Sequence, residues 1–186
     1  MTEHDGHDQS DPACDMAHGL LPAPTQGRRL IAVFASPVAL ELTHFAAHVG
    51  FETVIVEPVP QRANDSIRYA ADIASAKPDE HTDVVVTDHD RPELGELLAD
   101  ALRSTTRWIG VMGSPRHTAP HINALQDLGF DDAQIARVHR PIGLNIGSHS
   151  PGEIAIATVA GLLADRNGRT GGQYELTGSS GERAEP

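Results

Sequence analysis

Cysteine is almost missing from the chain. Cys14 is its only one, which excludes an internal disulfide framework and any paired-cysteine zinc site. Aromatic residues are scarce at 4%, against 39% hydrophobic residues in all, so a core must rest on aliphatic side chains. Bases are outnumbered: 14 Lys plus Arg stand against 26 Asp plus Glu, a formal net charge of -12. Bulk charge of that sign excludes nucleic acid and anionic membranes as partners held by electrostatics, while leaving a local basic pocket open. No stretch approaches the roughly 18 apolar residues of a membrane span. The acidic N-terminus has no apolar core of a secretory signal. The expectation is a soluble, cytoplasmic protein with no membrane or nucleic-acid partner. What is present, 186 residues, suits one domain with tails.

Charge and composition divide the chain. Residues 1–27 hold five acids, no Lys or Arg, and His4, His7 and His18, with too little apolar density to fold alone. Residues 169–186 are rich in Gly, Ser and Glu and read as a second disordered tail. Between them, 28–168 alternates strand and helix patterns. Leu30–Ala35 is a continuous apolar run, as in a strand buried on both faces. Pro37–Val49 carries Val38, Leu42, Phe45 and Val49 on one helical face. Thr53–Glu57, Val84–Thr87 and Trp108–Met112 read as strands. Glu93–Arg103, His117–Leu128 and Pro151–Asp165 read as helices, with a helical turn at Asp132–Arg137, while residues 58–82 have no clear pattern. The order predicts an α/β fold: one Rossmann-like domain, a parallel sheet with helices on both faces.

Helix starts are well marked. Ser36-Pro37, Ser114-Pro115 and Ser150-Pro151 each place a capping Ser before a Pro at the first helical position. Ser150 with Glu153, and Asp90 with Glu93, have capping-box spacing. In a parallel sheet such helix N-termini face the carboxyl edge of the strands. Ligands of open α/β sheets bind there, and the helix dipoles favour an anion.

Four constellations lie at that edge. The first turn, Phe34-Ala35-Ser36-Pro37-Val38-Ala39, stands where a dinucleotide fold carries GxGxxG, and Glu57 ends the next strand where a ribose-binding acid belongs. Ser36, Pro37 and Glu57 thus form either a modified dinucleotide site or a capped scaffold turn. Asp88 and His89 in Thr87-Asp88-His89-Asp90 are candidates for positioning a proton donor or a metal, or are solvated loop residues. Gly113, Ser114 and Arg116 suit an anion: the glycine allows close approach, and the hydroxyl and guanidinium bind phosphate. Gly143, Asn145 and Gly147 shape an apolar loop, either a pocket wall or a packing turn under the last helix. The pairs His44/His48 and His117/His121 have i, i+4 spacing but no intervening Glu, and read as helix-surface histidines.

The stretch from Val84 to Arg166 resembles the Rossmann domain of the XdhC/CoxI family, the accessory proteins of xanthine and carbon-monoxide dehydrogenases. The resemblance rests on Thr87-Asp88-His89-Asp90, Trp108-Ile109-Gly110-Val111-Met112-Gly113-Ser114-Pro115-Arg116, Pro141-Ile142-Gly143-Leu144-Asn145-Ile146-Gly147 and Pro151-Gly152-Glu153-Ile154-Ala155. It extends weakly back to Arg28. Where the family has a glycine-rich turn, this chain has Phe34-Ala35-Ser36-Pro37-Val38. The resemblance implies a non-catalytic maturation factor for a molybdenum hydroxylase. Such a factor binds the molybdenum cofactor, promotes its sulfuration and helps insert it. It also implies the apo-enzyme or another maturation protein as partner, and a homodimer. The residues leave two other readings open: an NAD(P)-binding oxidoreductase, and an interaction domain with a vestigial nucleotide pocket.

Overall fold

Among the described residues six short strands pair side by side, all parallel. The strands are β1 (Arg28–Val33), β2 (Phe51–Val56), β3 (Tyr69–Ala70), β4 (Thr82–Val86), β5 (Trp108–Val111) and β6 (Val138–His139). Their order is β3-β2-β1-β4-β5-β6, the doubly wound order of dinucleotide-binding sheets. The computed structural model describes residues 12–21, 27–63, 68–113 and 119–172. The helices are α1 (Pro12–Ala17), α2 (Pro37–His48), α3 (Leu94–Arg103), α4 (Pro120–Asp127), α5 (Asp132–Ile135) and α6 (Pro151–Arg166).

Both faces of the sheet are covered, which is why its central strands read as unbroken apolar runs rather than alternating ones. Leu30 and Ala32 of β1 face α2 and α6 through Leu42, Ala46, Ala155 and Val159. Ile31 and Val33 face the other way, in one cluster with Leu97 and Leu98 of α3 and Leu125 of α4. This two-faced parallel sheet is the expected fold class.

Boundaries differ in instructive ways. β1 ends at Val33, because Phe34 turns into the left-handed region at φ 74°. The illegible stretch contains a 3-10 turn at Pro60–Arg62 and the two-residue β3. The first 27 residues, read as disordered, include α1. Asp90 does not cap α3. Its amide bonds Asp88 Oδ1 at 3.0 Å, the helix starts at Leu94, and Glu93 turns to Arg91 instead. α4 begins at Pro120 rather than His117, and the Ser114-Pro115 cap lies outside the described residues. Among the described residues no helix is long and apolar enough to cross a membrane.

Candidate functional site

The strand register sets out the site. Val33 pairs with Val56 and with Val86, and Val86 pairs with Val111. The next residue of each strand, Phe34, Glu57, Thr87 and Met112, therefore stands in one row along the carboxyl edge. The order reverses between β1 and β4, and such a switch point opens a crevice.

The β1–β2 half of that row is filled by the chain itself. Glu57 is 3% exposed. Its Oε2 accepts the Ala35 amide at 2.9 Å, and its Oε1 accepts the Val59 amide at 3.0 Å and Arg91 Nη2 at 3.0 Å. The Arg91 guanidinium also lies over the Phe34 ring, 4.5 Å from its centroid. Burial alone would raise the Glu57 carboxyl; the Arg91 hydrogen bond and the two amides outweigh it and hold it below its ordinary value. Glu57 thus faces inward as an anion already satisfied, not as a free strand-end acid awaiting a ribose.

Ser36 is equally engaged. Its hydroxyl accepts the Ala39 amide at 3.0 Å, capping α2, and donates to Thr87 Oγ1 at 2.8 Å. Thr87 in turn donates to the Val33 carbonyl at 2.9 Å. Pro37 has no amide hydrogen. α6 is closed the same way: Ser150 and Glu153 form a full capping box, and Glu153 also accepts the His149 amide at 2.7 Å. The sequence pattern assigns these helix ends to a ligand anion; at α6 and at the Ala35 amide a carboxylate of the chain takes that role.

The β4–β5–β6 half is open. A cavity of about 400 Å³ lies there, between the ends of β4 and β5, the loop after β6, and the first turns of α2 and α6. Its walls are mainly apolar, with Val38, Met112, Ile142, Leu144 and Ile154; its polar groups are Thr87, His89, Ser148 and Thr158. Gly113 also lines it. A Cβ on Gly113 would fall 2.6 Å from Arg140 Nη2, so the glycine is what lets that guanidinium lie against the strand end.

Of the residues expected from sequence, His89 and Gly113 line the cavity. Asp88 holds the loop by accepting the Asp90 amide. Gly143, at φ 84°, packs against α6: a Cβ there would meet the Thr158 amide nitrogen at 3.2 Å. Leu144 follows it and bonds the Ala157 carbonyl at 3.0 Å. Asn145 and Gly147 are exposed, outside the cavity lining. Ser114 and Arg116 lie outside the described residues. Among the lining residues sequence reasoning missed are Ile142, Leu144 and Ser148 beside the chosen glycines, Thr87 and Met112 at the strand ends, and Thr158 on α6. Alternating Ile142, Leu144 and Ile146 were a usable signal: the first two line the cavity, while Ile146 is 55% exposed. Among the described residues no three His, Cys, Asp or Glu are grouped to hold a metal.

Comparison with known proteins fits this geometry. Residues 30–162 match the XdhC Rossmann domain family. The chain is 27% identical to the uncharacterized protein YqeB of Escherichia coli (strain K12), over 83% of this chain and 29% of that protein. It is 25% identical to a probable xanthine dehydrogenase subunit of Bacillus subtilis (strain 168), over 74% of this chain and 43% of that one. The crystal structure of a xanthine dehydrogenase from Bacillus halodurans superposes with a TM-score of 0.62 at 27% identity, covering 77% of this chain and 44% of that one. The chain thus spans less than half the length of each of these relatives.

Proposed function

Because the chain belongs to the XdhC family through its Rossmann domain, we propose that it is an accessory factor for a molybdenum hydroxylase of the xanthine or carbon-monoxide dehydrogenase type. In this reading it holds the molybdenum cofactor, or a related anionic ligand, in the cavity at the carboxyl edge and assists its sulfuration or insertion. Its partner is the apo-enzyme or another maturation protein, and a homodimer is part of the same reading.

The observation that carries the proposal is the cavity of about 400 Å³ at the switch point. That is the volume of a small-ligand site. Apolar walls with few polar groups suit a flat ring system with polar edges. Met112, Ile142, Leu144 and Ile154 would flank the rings, and Thr87, His89, Ser148 and Thr158 would meet the edges. When bound, the cofactor supplies the molybdenum centre that the client enzyme uses. This chain's share is to bind it, orient it and keep it from water. The closed β1–β2 half supports this reading over a nicotinamide dinucleotide. The Ala35 amide and Glu57, both wanted by a dinucleotide, already satisfy each other.

The test is a thermal-shift titration with molybdopterin, NAD(H), NADP(H) and FAD side by side. At 100 times its dissociation constant, a ligand bound only by the native state stabilises it by about 2.7 kcal/mol. The expected result is a shift with molybdopterin, reduced in His89→Ala. A shift with a nicotinamide nucleotide alone would favour the oxidoreductase reading. No shift with any of them would leave an interaction domain.

A further inference from the structure

The two sides of the sheet differ in what their helices turn to solvent. On one side, α3 presents Glu96, Asp100 and Arg103, and α4 presents Asn123, Gln126 and Asp127, as helix faces against water do. On the other side, α2 and α6 lie together and present almost no charge. The exposed residues of α2 are Pro37, Leu40, His44, Ala47 and His48; its one charged residue, Glu41, is half-buried. In α6, residues 154–164 carry no charge, and their one polar side chain, Thr158, turns back to the Ile154 carbonyl. A helix that is apolar all round belongs inside a structure. Yet Ile156 is 49% exposed, with Ala160 and Leu163 half-buried beside it at helical spacing. Leu40, 36% exposed, repeats that spacing on α2 with His44 and Ala47.

We propose that a second copy of the chain docks on this α2–α6 face, about a two-fold axis that crosses the helices and buries Leu40 and Ile156. The proposal rests on the homodimer of the reading above and adds the surface that forms it. Three observations select a copy as the occupant. The first is charge: at a net -12, two copies repel except through a face that carries almost none. The second is direction. Both helices start at the carboxyl edge, where Val38 and Ile154 line the cavity, so they run the same way and their positive ends lie together. A two-fold lays each α2 reversed on the other copy's α6, positive ends against negative ends, as in an antiparallel four-helix bundle. The third is area. Helices about 18 and 24 Å long, with axes about 10 Å apart, give a footprint of roughly 500 Å² per copy. Two copies then bury about 1,000 Å², where specific interfaces begin.

The experiment is sedimentation equilibrium of the full chain, from about 1 to about 100 µM, the range that suits an interface of this size. A reversible dimer is expected. Leu40→Glu and Ile156→Glu each place two carboxylates in the two-fold contact, and each should raise the dissociation constant roughly a hundredfold. Ile122→Glu is the control: Ile122 is 37% exposed on α4, on the other side of the sheet, and its variant should dimerise like the parent. Circular dichroism of the separated monomers should keep the parent's helix content. If a Glu variant melts early, Ala47→Arg, at an exposed position of the same face, decides. A monomer at the highest concentration overturns the proposal and strikes the homodimer with it, leaving the face to a different protein. A dimer that Leu40→Glu and Ile156→Glu do not weaken, or that Ile122→Glu weakens equally, overturns the surface alone. None of these outcomes depends on which ligand the cavity takes.

Discussion

The sheet buries a carboxylate near each of its edges, and the two are held differently. Near the amino edge, Asp83 of β4 is fully buried; its Oδ1 takes Arg107 Nε at 2.6 Å and its Oδ2 takes Arg166 Nε at 2.8 Å. Arg107 leads into β5 and Arg166 ends α6, so one carboxylate joins three elements far apart in sequence. At the carboxyl edge, Glu57 is held by one guanidinium and by two backbone amides of neighbouring turns. The first is a cross-link between layers, and the second is a plug in a turn. A cleft of about 440 Å³ at the amino edge is lined by Arg107, Arg166 and Asp165, groups committed to one another and to Asp83. At the carboxyl edge the plug fills only the β1–β2 half. The ligand-sized space is what the plug leaves open.

Removing the cross-link should have the largest effect. Asp83→Ala leaves two guanidiniums facing a buried void. Breaking a buried pair in this way costs about 3–5 kcal/mol. The lower end is expected, because the Arg107 side chain is 25% exposed and recovers some hydration. Urea unfolding should show a loss near about 3 kcal/mol, with ligand binding at the carboxyl edge unchanged in the fraction still folded. A loss under about 1 kcal/mol, the scale of an exposed ion pair, would remove the distinction between cross-link and plug.

Much of this architecture was legible because it follows from local chemistry. Val84–Thr87 reads as a strand and lies on β4 up to Val86, and Ser150-Pro151 with Glu153 marks the start of α6 to the residue. The carboxyl edge itself follows from strand order alone. What was not legible depends on pairings across the chain. Glu57 has the position of a strand-end ribose ligand, and Arg91, which holds it, lies 34 residues away with no spacing to betray it. β3 has two residues, too few for a pattern to show. In the loop after β6 the glycines attract notice because they shape the backbone. The cavity is lined by their apolar neighbours, whose role depends on how Gly143 packs against α6.

Replacing the plug should have a middle-sized effect with a pH signature. Glu57→Gln keeps the shape but turns one acceptor oxygen into a donor facing a backbone amide or Arg91. Leaving a buried donor unsatisfied costs about 1–3 kcal/mol. Glu57 is held below its ordinary value of 4.5, so the unfolded chain takes up a proton there more readily. Its stabilisation is therefore complete above pH 4.5 and is lost as pH falls through the lower folded value. The stability difference between parent and Gln variant should be constant at neutral pH and shrink on acidification below that point. A difference that grows in acid would mean that the Glu57 carboxyl is raised, not lowered.

The smallest effect should come from the cap that adjoins the plug. Ser36 accepts the Ala39 amide and also donates to Thr87 across the β1–β4 switch. If capping is its whole contribution, Ser36→Ala costs about 1 kcal/mol and Ser36→Gly only a few tenths, since glycine is tolerated at a helix N-cap. If the hydrogen bond to Thr87 matters as well, both variants lose it, and the glycine variant falls by about 1 kcal/mol too. Thermal melts of the two variants side by side separate these cases. Thr87 lines the open cavity while Ser36 belongs to the closed half. A large loss in both variants would therefore mean that the two halves are joined through these hydroxyls. A small loss in Ser36→Gly would mean that the closed half can change without disturbing the cavity wall.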